Sequence, residues 1–224
     1  MTFSISARCA SSGQFGLAIA SSSPAVAARC AHARAGVGVV ATQNVTDPRL
    51  GPAALDLLTN GASARLALDT LTGTRTHMDH RQLVVVDAAG RTAVWSGRHA
   101  LGVHASAEGR DCAAAGNLLA HPGIPRAMVA ALETSAGDLG NRLVAALAAG
   151  LAAGGEAGPV HSAGLLVAAA EPWPITDLRM DWDEADPIGR LGSLYELWRP
   201  QMHAYVQRAL NPDAAPTFGV PGDD

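Results

Sequence analysis

Leu83-Val84-Val85-Val86 has an apolar side chain on both faces of any strand it forms, and so does the small-residue run at 163–170. Such strands need cover on both sides. A single sheet with one wet face cannot supply it, whereas two stacked sheets roofed on the outside by helices can. The other strand signals fit this demand. Thr2 to Arg8 alternates apolar Phe3, Ile5 and Ala7 with polar partners, which predicts a half-buried strand. Ser11-Ser12-Gly13-Gln14 turns it into a second strand over 15–20, and a third is expected over 36–42. Asp87-Ala88-Ala89-Gly90 makes a hairpin of 82–86 and 91–96. Shorter strands are expected at 102–107, 111–115 and 175–182, while 25–34 is ambiguous. Helices are expected over 52–59, after Ser63 with Leu66, Leu68 and Leu71 inward, over 122–135, and after Asp138 with Leu139, Leu143, Leu147 and Leu151 on one face. Asp186-Pro187 opens another, burying Leu191, Leu194, Tyr195 and Trp198, and Pro200 divides it from 202–210. Strands come in hairpins and helices in pairs, so the class is α+β, not a doubly wound sheet. One domain spans 1–210; the Pro- and Gly-rich segment 211–224 is read as a tail draped on the surface or disordered.

Composition narrows function. Aromatics make up 4% of the 224 residues, so the core is built from small side chains in close backbone contact. The net charge is −4 with no basic stripe, which argues against nucleic acid and against anionic membranes. The chain has no lysine, which excludes a Walker-type phosphate loop, a Schiff-base lysine and a Ser–Lys dyad. Cys9, Cys30 and Cys112 form no CxxC pair and no disulfide framework; they are expected to be inert packing residues in a reducing cytoplasm. No secretory signal is expected, and 143–153 reads as a buried helix too short to span a membrane. His77 and His80 flank Asp79, but without further ligands the stretch is expected to be a solvated loop and not a metal site.

Thr2 carries the sharpest chemical signal. Removal of a preceding methionine is efficient when the next residue is small. The exposed threonine would then hold a hydroxyl nucleophile and a free α-amine able to take its proton. That amine has an ordinary pKa of roughly 8, within reach of general-base work near neutrality. Many chains carry a threonine there to no catalytic purpose.

Thr2-Phe3-Ser4-Ile5, Gly36-Val37-Gly38-Val39-Val40-Ala41-Thr42-Gln43, Leu55-Asp56-Leu57-Leu58, Ala115-Gly116-Asn117-Leu118-Leu119, Ser162-Ala163-Gly164-Leu165-Leu166-Val167 and Asp177-Leu178-Arg179-Met180-Asp181 recur here in one order. That series resembles the bacterial domain-of-unknown-function 1028 family, which is placed among the N-terminal-nucleophile (Ntn) hydrolases. The resemblance implies a four-layer αββα sandwich, two mainly antiparallel sheets between helix pairs, with Thr2 heading a central strand. It implies hydrolysis of the C–N bond of a small-molecule or peptide-like amide by Thr2, with no metal and no cofactor. Asn117 is the candidate oxyanion donor, helped by backbone N–H groups around Gly116. Ser21, Thr42, Gln43 and Ser162 are the expected substrate-side polar groups. Family members tend to carry a basic residue after the second strand, where this chain has Ser21-Ser22-Ser23, and proteasome-like relatives place an acid and a lysine near the nucleophile. A non-catalytic ligand-binding protein on the same fold is the alternative. Ala-rich helix faces are compatible with a homo-oligomer or a structural interaction module.

Overall fold

The computed structural model describes residues 1–220. The chain runs β1 (Thr2–Arg8), β2 (Phe15–Ser21), α1 (Ala27–Cys30), β3 (Ala31–Arg34), β4 (Gly38–Asn44), α2 (Leu50–Thr59), α3 (Ala64–Thr74), β5 (Arg81–Asp87) and β6 (Thr92–Ser96). It continues through β7 (Ala105–Gly109), β8 (Cys112–Asn117), α4 (Ile124–Thr134), α5 (Leu139–Ala152), β9 (Ser162–Ala168), β10 (Pro174–Met180), α6 (Pro187–Trp198) and α7 (Met202–Leu210). Six strands form one antiparallel sheet in the order β10-β9-β2-β1-β8-β7, and four form a second in the order β3-β4-β5-β6.

Strand alternation assigns the layers. Phe3, Ile5 and Ala7 of β1 pack with Met128 of α4 and with Leu143 and Leu147 of α5. Val40, Leu83 and Val85 face Leu55 and Leu58 of α2 and Leu68 and Leu71 of α3. Between the sheets lie Leu17, Ile19, Val39 and Val86, with Ala41, Val84, Ala113 and Ala115 beside them. The order helix, sheet, sheet, helix is the αββα sandwich, and it supplies the double-sided cover that the apolar strands require. Small residues permit the close approach: a Cβ on Gly164 would come within 2.3 Å of the Ala27 Cβ.

Several expectations are corrected. β1 is buried on both faces, because its polar side meets the second sheet instead of water. Leu66 is exposed while Leu68 and Leu71 are buried; residues two apart cannot share one helical face. Leu151, at the end of α5, is also exposed. The ambiguous stretch 25–34 resolves into the one-turn α1 and the edge strand β3, and the two short strands shift to β7 and β8. Met78, in a loop read as solvated, is buried in a 3-10 turn. The caps at Ser63, Asp138 and Asp186 form as read, accepting from Leu66, Asn141 and Gly189 N–H groups. The described part of the tail folds back on α7, where Arg208 donates to the Pro216 and Thr217 carbonyls and stacks 3.8 Å over Phe218. The rest of the tail, 221–224, lies outside the described residues. Among the described residues no helix is long and apolar enough to cross a membrane.

Candidate functional site

Strand register builds a polar row at one end of the larger sheet. Thr2 pairs with Asn117 across β1 and β8, and Ser21 pairs with Ser162 across β2 and β9. Phe3 pairs with Ala20, which sets Thr2 beside Ser21. Phe3, Ala20 and Ala163 face the helices, so Asn117, Thr2, Ser21 and Ser162 all face the space between the sheets. Four of the six residues proposed from sequence thus meet in one row, all of them buried.

Gln43 sits one layer deeper. Its amide Nε2 donates to Gln82 Oε1 at 2.7 Å and to the Ala115 carbonyl at 3.2 Å, while its Oε1 accepts from Ser4 at 2.7 Å. Gln82 Oε1 also accepts from Asn117 Nδ2 at 3.2 Å, which fixes the Asn117 amide and leaves its second N–H free for another acceptor. Thr42 does not join this group. Alternation turns it to the helix side of β4, where its hydroxyl bonds the Asp47 carbonyl at 3.3 Å.

The hydroxyls form a chain that ends on a positive charge. The Thr2 Oγ1 contacts Ser21 Oγ at 3.4 Å, Ser21 meets Ser23 Oγ at 2.8 Å, and Arg29 Nη2 donates to Ser23 Oγ at 2.5 Å. Ser162 Oγ braces the turn by donating to the Ser23 carbonyl at 2.6 Å. A left-handed Ala25 (φ 51°) folds the chain so that α1 presents Arg29 there. Arg29, six residues beyond Ser23, thus brings a basic side chain to the turn after β2. Both Thr2 Oγ1 and Ser21 Oγ donate to the Met1 carbonyl.

An acid that sequence reading missed stands beside this row. Glu156 is 5% exposed, and its two carboxylate oxygens share the Ser22 N–H at 3.1 and 3.2 Å. A bridge between Leu119 and Glu156 and the Ala157 N–H on the Leu118 carbonyl (2.9 Å) hold it at the end of β8. Burial pushes its pKa up to about 7, with the positive charge at the Met1 nitrogen and the Ser22 N–H pulling the other way. The sequence did carry a signal, because Glu156 is the one charged residue between 143 and 160. Arg29 is likewise the one Asp, Glu, Lys or Arg between 9 and 33, but its segment has no clear period.

Other candidates fall elsewhere. Cys30 and Cys112 are buried, and burial raises both thiols, Cys112 to about 11. Cys9 is partly buried against the core; burial raises its thiol, but hydrogen bonds from Ser11 and Ser12 outweigh this and bring it to about 7. It lines a separate cleft of about 550 Å³ with Arg8, Arg110 and Arg142. Among the described residues no group of three His, Cys, Asp or Glu side chains is placed to hold a metal ion.

The fold and site define an α+β sandwich with a buried row of hydroxyl and amide side chains at the head of a central strand. The model of a family of unknown function, DUF1028, matches residues 2–191, and the chain belongs to that family. Protein SPO2555 from Silicibacter pomeroyi, itself a DUF1028 member, overlays at a TM-score of 0.82 with 29% identity, covering 88% of each chain. Anbu (ancestral beta-subunit) from Yersinia bercovieri overlays at a TM-score of 0.44 with 13% identity, over 91% of this chain and 97% of that one. A search of curated proteins returns no match.

Proposed function

We propose that the chain without Met1 is an Ntn-type hydrolase that cleaves the C–N bond of a small or peptide-like amide, with Thr2 as the nucleophile. The observation that carries this reading is the row itself: a hydroxyl at the head of β1 with Asn117 opposite, Ser21 beside it, and the carbonyl just ahead of it bonded by both hydroxyls. The Thr2 hydroxyl attacks the amide carbonyl as its own α-amine takes the proton. The negative oxygen of the tetrahedral intermediate accepts from the free Asn117 N–H. The C–N bond breaks, the amine leaves with the proton held by the α-ammonium, and an ester remains on Thr2. Water, deprotonated by the same α-amine, splits the ester and restores the threonine. Arg29, acting through Ser23 and Ser21, is a positioning residue that supplies the positive charge a lysine would otherwise bring.

A β-lactone tests this, since its strained carbonyl acylates an activated hydroxyl. Intact mass should show one adduct on the Met1-free chain, and peptide mapping should place it at Thr2. Thr2→Ala should remove it, and Asn117→Ala should slow its formation by about a hundredfold. No adduct, or one at another residue, would sink the reading and leave a ligand-binding protein on the same fold.

A further inference from the structure

Along β4, β5 and β8 the layer between the sheets is apolar until the end nearest Thr2. On the inner face of β4, Val39 and Ala41 lead to Gln43; on β5, Val86 and Val84 lead to Gln82; on β8, Ala113 and Ala115 lead to Asn117. All three amides are buried. Gln43 pairs with Gln82 and Gln82 with Ser96, so the second sheet holds these residues in one row against 115–117 of the first. Packing alone does not call for amides there, since alanine and valine fill the same layer two residues along. A buried primary amide costs free energy unless its hydrogen bonds are made.

Two backbone carbonyls fix which way the amides point. A carbonyl only accepts, so the Ala115 carbonyl draws Gln43 Nε2 to 3.2 Å and the Gly116 carbonyl draws Gln82 Nε2 to 3.1 Å. Gln82 Nε2 gives its other N–H to Ser96 Oγ at 2.9 Å, and Gln43 Oε1 accepts from Ser4. Gln82 Oε1 is left facing Gln43 Nε2 at 2.7 Å and Asn117 Nδ2 at 3.2 Å. Turning the Asn117 amide over would set its oxygen against that oxygen, two acceptors with no proton between them. Asn117 must therefore donate. The chain beside it is held as well: Leu118 is left-handed (φ 51°), its N–H bonded to the Leu101 carbonyl and its carbonyl accepting from the Ala157 N–H, both at 2.9 Å. We infer that Gln82 is a positioning residue for the reaction: from the second sheet, without touching substrate, it holds the Asn117 amide so that an N–H, and not the oxygen, is presented beside Thr2. The inference rests on the Thr2 reading for its chemistry, but the orientation of the amide is measurable without it.

The test pairs kinetics with a spectrum, on full chains lacking Met1. Gln82→Met keeps the length of the side chain and removes the acceptor. Labelling by the β-lactone should reach a limiting rate about tenfold to a hundredfold lower at an unchanged half-saturating concentration, because the donor to the oxyanion is misplaced while probe binding is not. In the Asn117→Ala background the same change should slow labelling by less than about twofold, since its effect runs through Asn117. A wild-type rate in Gln82→Met, or the full slowing in both backgrounds, overturns the inference. Should Gln82→Met not fold, Ser96→Ala takes its place: it should slow labelling about threefold with Asn117 present and not without it, and an equal effect in both backgrounds, or none, overturns the inference. Nitrogen-15 NMR spectra of the side-chain amides need no reaction, the Asn117 pair being identified by its absence in Asn117→Ala. Its two protons should be well separated, one of them slow to exchange, and the Gln82 or Ser96 variant should draw them together and speed that exchange. Unchanged signals overturn the inference. No adduct on the wild-type chain removes the nucleophile, and the spectra then decide whether Gln82 orients Asn117. An adduct whose rate ignores Gln82 removes the positioning role and keeps the nucleophile.

Discussion

Two buried carboxylates, Asp87 and Glu156, sit in opposite chemical states. Asp87, at the end of β5, is 2% exposed and accepts from the Ala64, Ala89 and Arg91 N–H groups and from the Arg91 guanidinium, all between 2.8 and 3.1 Å. Burial raises its pKa, but these donors outweigh burial and hold it below the ordinary range. Glu156 is buried almost as well and receives one N–H. Desolvation there carries the pKa up to about 7. Accessible surface is alike, but Glu156 lies among more protein atoms and has fewer donors, and both differences raise it relative to Asp87. Asp87 is finished: it ties the β5–β6 hairpin to the first turn of α3. Glu156, at the head of β1, accepts a single backbone N–H, from Ser22.

The largest expected effect comes from breaking the finished carboxylate. Asp87→Ala strands three backbone donors and a guanidinium, and should cost about 3 kcal/mol of stability, read from urea denaturation. Binding at the Thr2 end should not change. A loss under about 1 kcal/mol would mean that water replaces those donors freely and that the contrast with Glu156 is false.

The pH dependence sharpens the same contrast, because the two groups have opposite signs. The folded pKa of Glu156 is raised, so its stabilising contribution is fully present below the ordinary 4.5 and is lost as pH rises through about 7. In that window the folded chain keeps a proton that the unfolded chain has released. Asp87 is lowered, so its contribution is present above the unfolded pKa near 3.9 and is lost as pH falls toward its folded value. Glu156→Gln should flatten the decline between about pH 5 and pH 8, by on the order of 2 kcal/mol, in melting curves taken across that range. An unchanged slope would show that Glu156 is ionised throughout and already paired.

These two acids also mark the boundary of what the chain discloses as text. Asp87 was readable as a hairpin turn, because its partners Ala89 and Arg91 lie within four residues of it. Its bond to Ala64 was not, since it depends on how α3 docks. The row at the head of β1 was legible in part. Thr2 and Asn117 stand out by residue type, and pairing them needs one register, which alternating Phe3, Ile5 and Ala7 help to fix. Ser21 and Ser162 follow from the next two strand pairs. Thr42 and Gln43 could not both belong, since neighbours on a strand face opposite ways. Glu156 and Ser22 are 134 residues apart, and no local pattern links them. Arg29 depended on the left-handed Ala25, a conformation that side-chain type does not announce.

The smallest effect tests whether donor counting extends from carboxylates to hydroxyls. Ser4 and Ser6 lie two apart on β1, both fully buried and both facing the second sheet. Ser4 donates to Gln43 Oε1 at 2.7 Å, whereas Ser6 Oγ has no partner among the described residues. Ser4→Ala removes a made bond and strands the Gln43 oxygen, so it should cost about 1–2 kcal/mol. Ser6→Ala removes a group already desolvated without return, and should be neutral or stabilise by up to about 1 kcal/mol. Denaturation midpoints at unchanged slope give the comparison, because equal slopes show that the exposed surface on unfolding is the same. If the two variants lose equal stability, then packing of the hydroxyl oxygen, not its hydrogen bond, sets the value of polar groups between these sheets. The Gln43–Gln82–Asn117 network would then be filling space behind Thr2 instead of aiming the Asn117 amide at it.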